Sequence, residues 1–174
     1  MWDFFETVRH RHSIRHYQPD QPVEEAKLHA ILEMACAAPS AGDLQSYRIA
    51  VVRDAAHREA LAQAADRQDF LREAPVCLVF SADPERAETE FGPRGRDLYA
   101  LQDATIAAAY AQLAVVAAGL GSTWVGQFNG EEVAGIVGTG TGVRPIALLS
   151  IGYPAELPQE TPRRPLDDIV SWLE

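Results

Sequence analysis

From Ala104 to Leu120 the only clearly polar side chain is Gln112, and half of the remaining residues are alanine. A run of that length is either a membrane span or a helix enclosed by protein. Alanine is only weakly apolar, Gln102 and Asp103 precede the run directly, and no Lys or Arg flanks it closely. The reading is therefore a central buried helix over Leu98 to Gly119, closed by Gly119 and Gly121. Its many small side chains, among them Ala107, Ala108 and Ala111, let other elements approach its axis closely. A helix that is apolar nearly all round must be covered nearly all round. In a chain of 174 residues a second subunit is a natural source of part of that cover, so the pattern predicts a dimer.

The other elements follow from local signals. Asp3 with Glu6 three residues on marks a helix start, with Phe4, Phe5 and Val8 on one face. Pro22, Glu24 and Glu25 open a second helix whose buried stripe is Leu28, Ile31, Leu32 and Ala35, and Pro39 stops it. Strands are expected at Tyr47 to Val52, Val76 to Phe80, Thr123 to Phe128 and Ile146 to Tyr153. Helices are expected at Asp54 to Ala65 and Glu131 to Val137, and a last helical turn or two at Leu166 to Leu173. The polar stretch Asp83 to Arg96, with Pro84, Gly92, Pro93 and Gly95, reads as a surface loop or lid. Helices and strands alternating along one chain of this length indicate a single domain over residues 1–174, of α/β or α+β organisation.

The net charge of −10 disfavours nucleic acid and anionic membrane surfaces as partners. Cys36 and Cys77 sit in separate apolar stretches with no CxxC spacing and no His pair, so both read as buried thiols rather than as a metal site. Sparse cysteines suit a reducing, cytoplasmic compartment. The first six residues carry acids where an export signal carries bases.

Against that acidic background the residues from Arg9 to His16 include Arg9, His10, Arg11, His12, Arg15 and His16, and no acid. Charge alone leaves two readings open: a solvated basic turn, or an anion site. The segment follows a helix C-terminus, where the macrodipole is negative. An anion there has to be held by cationic side chains, and the planar fork of Arg pairs with phosphate oxygens in bidentate fashion.

Arg11-His12-Ser13-Ile14-Arg15-His16-Tyr17 resembles the opening motif of the nitroreductase-like flavoproteins. Four further stretches match in order: Ala38-Pro39-Ser40-Ala41-Gly42-Asp43-Leu44-Gln45; Asp103 leading into the Ala-rich helix and on to Gly119-Leu120-Gly121-Ser122-Thr123-Trp124-Val125-Gly126; Arg144-Pro145 before Ile151-Gly152-Tyr153-Pro154; and Arg163-Arg164-Pro165-Leu166. Each alone is weak; five in sequence span nearly the whole chain. The resemblance implies an α+β fold with a mixed central sheet flanked by helices and a long central helix. It also implies an intertwined homodimer with FMN at each edge of the interface. By that resemblance Arg11, His12, Ser13 and Arg15 contact phosphate, ribityl and pyrimidine, and Arg15 is the candidate stabiliser of reduced flavin. Pro39, Ser40 and Ala41 contact the flavin of the other subunit. Trp124, Val125 and Gly126 lie near the isoalloxazine ring, Gln68 is placed at the flavin edge, and Arg163 with Arg164 closes on the phosphate. Asp43 stands where the family often has Asn, and Ser46-Tyr47 where it often has Pro and an aromatic. A carboxylate beside an electron-rich flavin is unfavourable unless paired or turned away.

The implied activity is a ping-pong hydride transfer from NAD(P)H through FMN to a flat acceptor such as a nitroaromatic or a quinone. The alternative is a flavin-binding or storage protein, or a flavin dehydrogenase specialised for one metabolite. Gly138-Thr139-Gly140-Thr141-Gly142 is glycine-rich, but Arg144-Pro145 and a strand follow it rather than a helix, so it reads as a turn. His29 and His57 lack metal-ligand spacing and read as surface residues, and no catalytic triad or carboxylate pair is legible.

Overall fold

A computed structural model describes residues 3–155 and 161–173; Met1 and Trp2 of the N-terminal stretch lie outside them. The helices are α1 (Phe4–His10), α2 (Glu25–Cys36), α3 (Ala55–Ala64), α4 (Phe70–Glu73), α5 (Pro84–Arg94), α6 (Ala100–Ala117) and α7 (Gly130–Val137). The strands are β1 (Tyr47–Val52), β2 (Val76–Ala82), β3 (Gly121–Val125) and β4 (Arg144–Gly152).

The sheet order is β1-β2-β4-β3, and all three ladders are antiparallel. The parallel component of the expected mixed sheet is a single bridge between Ser13 and Ser122. Every residue of β2 is buried, as a strand covered on both faces must be. Its alternation decides which core each side chain joins. Val76, Leu78 and Phe80 face the Ala-rich stripe of α6 and the Leu28, Ile31 and Ala35 stripe of α2. Cys77 and Val79 face Leu61 of α3, Leu71 of α4 and Val133 of α7. By length and composition the continuous helical stretch Pro84–Ala117 is apolar enough to cross a membrane. In the fold Ala100, Ala104, Ala107, Ala108, Ala111 and Val115 of α6 are buried, as expected of a core helix.

Two local expectations need correction. Asp83 to Arg96 is helical, not a loop. The Asp83 side chain accepts the Arg86 N–H, and Pro84 occupies the first helical turn, where its missing donor costs nothing. Gly92 (φ 58°, ψ −149°) kinks α5 before Pro93, and a π-helical turn at Gly95–Tyr99 leads into α6. Proline and glycine there punctuate a helix rather than end it. Second, Cys36 is exposed and only Cys77 is buried, because Cys36 falls on the solvent side of the last turn of α2. On α1, Phe4 and Phe5 are exposed, and Thr7 is the buried residue. The terminal segment forms one helical turn, a 3-10 turn at Leu166–Asp168, in line with the turn or two expected there.

The chain exposes 10349 Å², against about 8,400 Å² for a compact monomer of its mass. Apolar side chains contribute to that surface: Phe4 and Phe5 of α1, Leu101 and Tyr110 of α6, and Leu166, Ile169, Trp172 and Leu173 near the C-terminus.

Burial pushes the Cys77 thiol up to about 12, so it is neither reachable nor ionised in the native state. A thiol reagent at pH 8 is expected to titrate Cys36 at once and Cys77 only after unfolding. Two rapidly reacting thiols would contradict the packing of β2.

Candidate functional site

Helix α1 is closed at its start by a reciprocal capping box, in which the Asp3 carboxylate accepts the Glu6 N–H and the Glu6 carboxylate accepts the Asp3 N–H. It ends at Arg11, whose φ −71° and ψ 110° turn the chain into an extended run. The basic segment therefore does follow a helix C-terminus.

The extended run is held by Ile14. Its N–H donates to the Ser122 carbonyl at 3.0 Å. Its carbonyl accepts from the Tyr17 hydroxyl at 2.7 Å and the Thr123 hydroxyl at 2.5 Å. Tyr17 and Ser150 are in hydroxyl contact at 2.7 Å, and the Thr123 N–H donates to Ser150 Oγ at 3.2 Å. With the single Tyr17 proton given to Ile14, Ser150 is the donor to Tyr17. Burial raises the Tyr17 phenol above its ordinary value, which keeps it a donor at physiological pH. Close docking on β3 depends on Gly121, where a Cβ would stand 2.6 Å from Ile14 Cγ1. Extended backbone alternates its side chains: Ile14 is buried, Ser13 is half-buried and Arg15 is exposed.

Two other predicted segments converge on this run. The Arg15 guanidinium lies 6.0 Å from the centre of the Phe70 ring, at the turn that carries Gln68. That turn is strained, with Asp66 and Arg67 in the left-handed region at φ 53° and 60°. The Asp66 carboxylate accepts from Gln127 Nε2 at 2.9 Å, which ties the turn to the chain just after Trp124-Val125-Gly126. Trp124 is half-buried and Gly126 exposed, while the Val125 side chain packs in the core. Among the described residues neither Arg11 nor Arg15 is neutralised by a carboxylate. An arginine–serine set left unneutralised suits a dianionic phosphate.

The remaining predicted residues lie elsewhere in the protomer. Pro39, Ser40, Ala41 and Asp43 precede β1, at the edge of the sheet opposite β3. Three strand spacings, about 14 Å, separate those edges. Ser40 Oγ accepts the Gln45 N–H at 3.0 Å, and Asp43 is exposed with φ 54°. Arg163 and Arg164 are exposed, and Arg164 Nη2 donates to the Asp168 carbonyl at 2.7 Å. One chain thus assembles Arg11, His12, Ser13, Arg15, Gln68 and Trp124, and holds the Pro39–Asp43 loop apart. A groove of about 670 Å³ beside α3 is lined by Glu59, Gln63, Arg67, Asp69 and Arg72, but its Arg72 is paired with Glu59 and Asp69. No metal-binding group of His, Cys, Asp and Glu occurs among the described residues. Gly138 is the left-handed cap of α7 (φ 65°), in line with a plain turn.

Sequence reasoning did not single out Tyr17, Thr123, Ser150 or Gln127 as holding the site. Hydroxyls and amides in strands carry no periodic signal, and their partners are up to 133 residues away.

The sequence model of the Nitroreductase family matches residues 8–67 and 63–153. The chain is 38% identical over 189 residues to a Thermus thermophilus protein named NADH dehydrogenase, covering 93% of this chain and 92% of that one. It is 32% identical over 165 residues to the oxygen-insensitive NADPH nitroreductase of Salmonella typhimurium, covering 91% of this chain and 68% of that one. Among solved structures, the NADPH:FMN oxidoreductase from Vibrio harveyi complexed with NAD+ superposes with a TM-score of 0.88 at 26% identity, covering 98% of this chain and 76% of that one.

Removing the Tyr17 hydroxyl tests the anchoring of the basic run. Tyr17→Phe strips one donor from Ile14 and one partner from Ser150, and is expected to destabilise the protein by about 1–3 kcal/mol. Urea unfolding checks this, and an unchanged midpoint and slope would contradict it.

Proposed function

Because the chain belongs to the Nitroreductase family, we propose that it is an FMN-dependent oxidoreductase that takes electrons from NAD(P)H and passes them to a flat acceptor, a nitroaromatic or a quinone. The observation that carries this reading is the pair of guanidiniums, Arg11 and Arg15, that no carboxylate among the described residues neutralises, set on either side of a residue pinned to the sheet.

When bound, FMN supplies the hydride-transfer chemistry. The protein's part is to hold it. Arg11 and Ser13 grip the phosphate, with His12 beside them. Arg15, next to the turn of Gln68, lies toward the pyrimidine edge and stabilises negative charge there, as a fixed cation stabilises an oxyanion. Trp124, Val125 and Gly126 border the ring.

The set is completed by a second copy of the chain, giving a homodimer. The excess exposed area and the uncovered apolar residues on α1, α6 and the C-terminal segment support that assembly. So does the distance between the two halves of the set. In the dimer Pro39, Ser40 and Ala41 reach the flavin of the partner, and Arg163 and Arg164 close on a phosphate. Two free thiols suit a cytoplasmic location.

Purified protein is expected to be yellow, to run as a dimer, and to lose its visible flavin band when NADH or NADPH is added without oxygen. A flavin that neither nucleotide bleaches would favour a storage protein. Exchanging Arg11 and Arg15 together for Ala is expected to weaken FMN binding at least about a hundredfold, the sum of two charge-assisted contacts. Unchanged affinity would remove the anchor from the argument.

A further inference from the structure

Asp103 lies near the start of α6 and is 2% exposed. A buried carboxylate is costly unless its oxygens are satisfied. Here backbone amides of one loop satisfy both: Oδ1 accepts the Ala41 N–H at 2.9 Å, and Oδ2 accepts the Ser46 N–H at 3.3 Å. The loop between them is strained. Gly42, Asp43 and Gln45 have φ of 56°, 54° and 51°, and two of the three are not glycine. Such a conformation persists only where its surroundings over-determine it. Asp103 is fixed on the long core helix and holds both ends of the loop. From the outer side, Arg86 Nε of α5 donates to the Leu44 carbonyl at 2.7 Å.

We propose that Asp103 is a positioning residue: its two oxygens, each on a separate backbone amide, set the presentation of Pro39, Ser40 and Ala41 to the flavin. Asp103 touches no cofactor itself; it acts through the loop. The requirement is for two acceptors pointing in different directions. Asn in its place keeps one acceptor and turns an NH2 toward the other amide, donor against donor. The inference rests on the reading that this loop meets FMN.

The test compares the unmodified protein with Asp103→Asn and Arg86→Ala. FMN affinity, the visible spectrum of bound FMN, and KM and kcat with NADH or NADPH and p-benzoquinone are measured beside the melting temperature. Asp103→Asn is expected to weaken FMN binding about tenfold, to move the bound-flavin band toward that of free FMN, and to raise KM for the quinone. A lower melting temperature with spectrum and KM unchanged would overturn the proposal, because it would show a structural role only. If Asp103→Asn does not fold, Arg86→Ala decides, since Arg86 is exposed and holds the same loop. The same changes in smaller size support the proposal, and an unaltered spectrum and KM overturn it. Failure of the unmodified protein to take up FMN would instead overturn the cofactor reading on which the proposal stands.

Discussion

Ile14 is a buried hydrophobe between two polar residues that must face outward, and both of its backbone groups are committed to the sheet. Its amide is taken by Ser122 and its carbonyl by the hydroxyls of Tyr17 and Thr123. Each such bond contributes only about 1 kcal/mol net, but leaving a buried carbonyl unpaired costs more than forming the bond gains. A slip of one residue would bury Ser13 or Arg15 and expose Ile14. The register of this short run is therefore set by the core, and the direction of its cations follows from the register.

The same sheet holds the two halves of the proposed site apart within one chain. The cationic run docks on β3, while the Pro39–Asp43 loop leads into β1 at the opposite edge. Helix α6 spans both halves: Ala107, Ala108 and Ala111 pack on the sheet, its Asp103 organises the loop, and its Leu101 and Tyr110 remain exposed. A helix with small residues on one face and uncovered apolar ones on another is shaped for contact on both sides, and the proposed second copy of the chain would meet that need.

Much of this was legible in the residues. The long helix, the capping box at Asp3 and the four strands follow from periodicity and caps, which are local. So does the basic run after a helix end. The exposure of Cys36 and the helicity of Pro84–Arg94 were not legible. The first depends on which side of the final turn of α2 meets the core, and the second on a capped start that outweighs Gly92 and Pro93. The hydroxyl network of Tyr17, Thr123 and Ser150, and the clamp of Asp103 on Ala41 and Ser46, join residues far apart in the chain. Only the folded arrangement brings them together. Resemblance pointed to the residues proposed to face the cofactor, and the residues that hold them became visible only in three dimensions.

The central claim is that the run around Ile14 anchors a phosphate. Comparing the affinities of the purified apoprotein for FMN and for riboflavin isolates that group, because the two ligands share ring and ribityl chain. Tighter binding of FMN by about a hundredfold or more is the predicted result, from two charge-assisted contacts to the phosphate. Equal affinities would contradict the account.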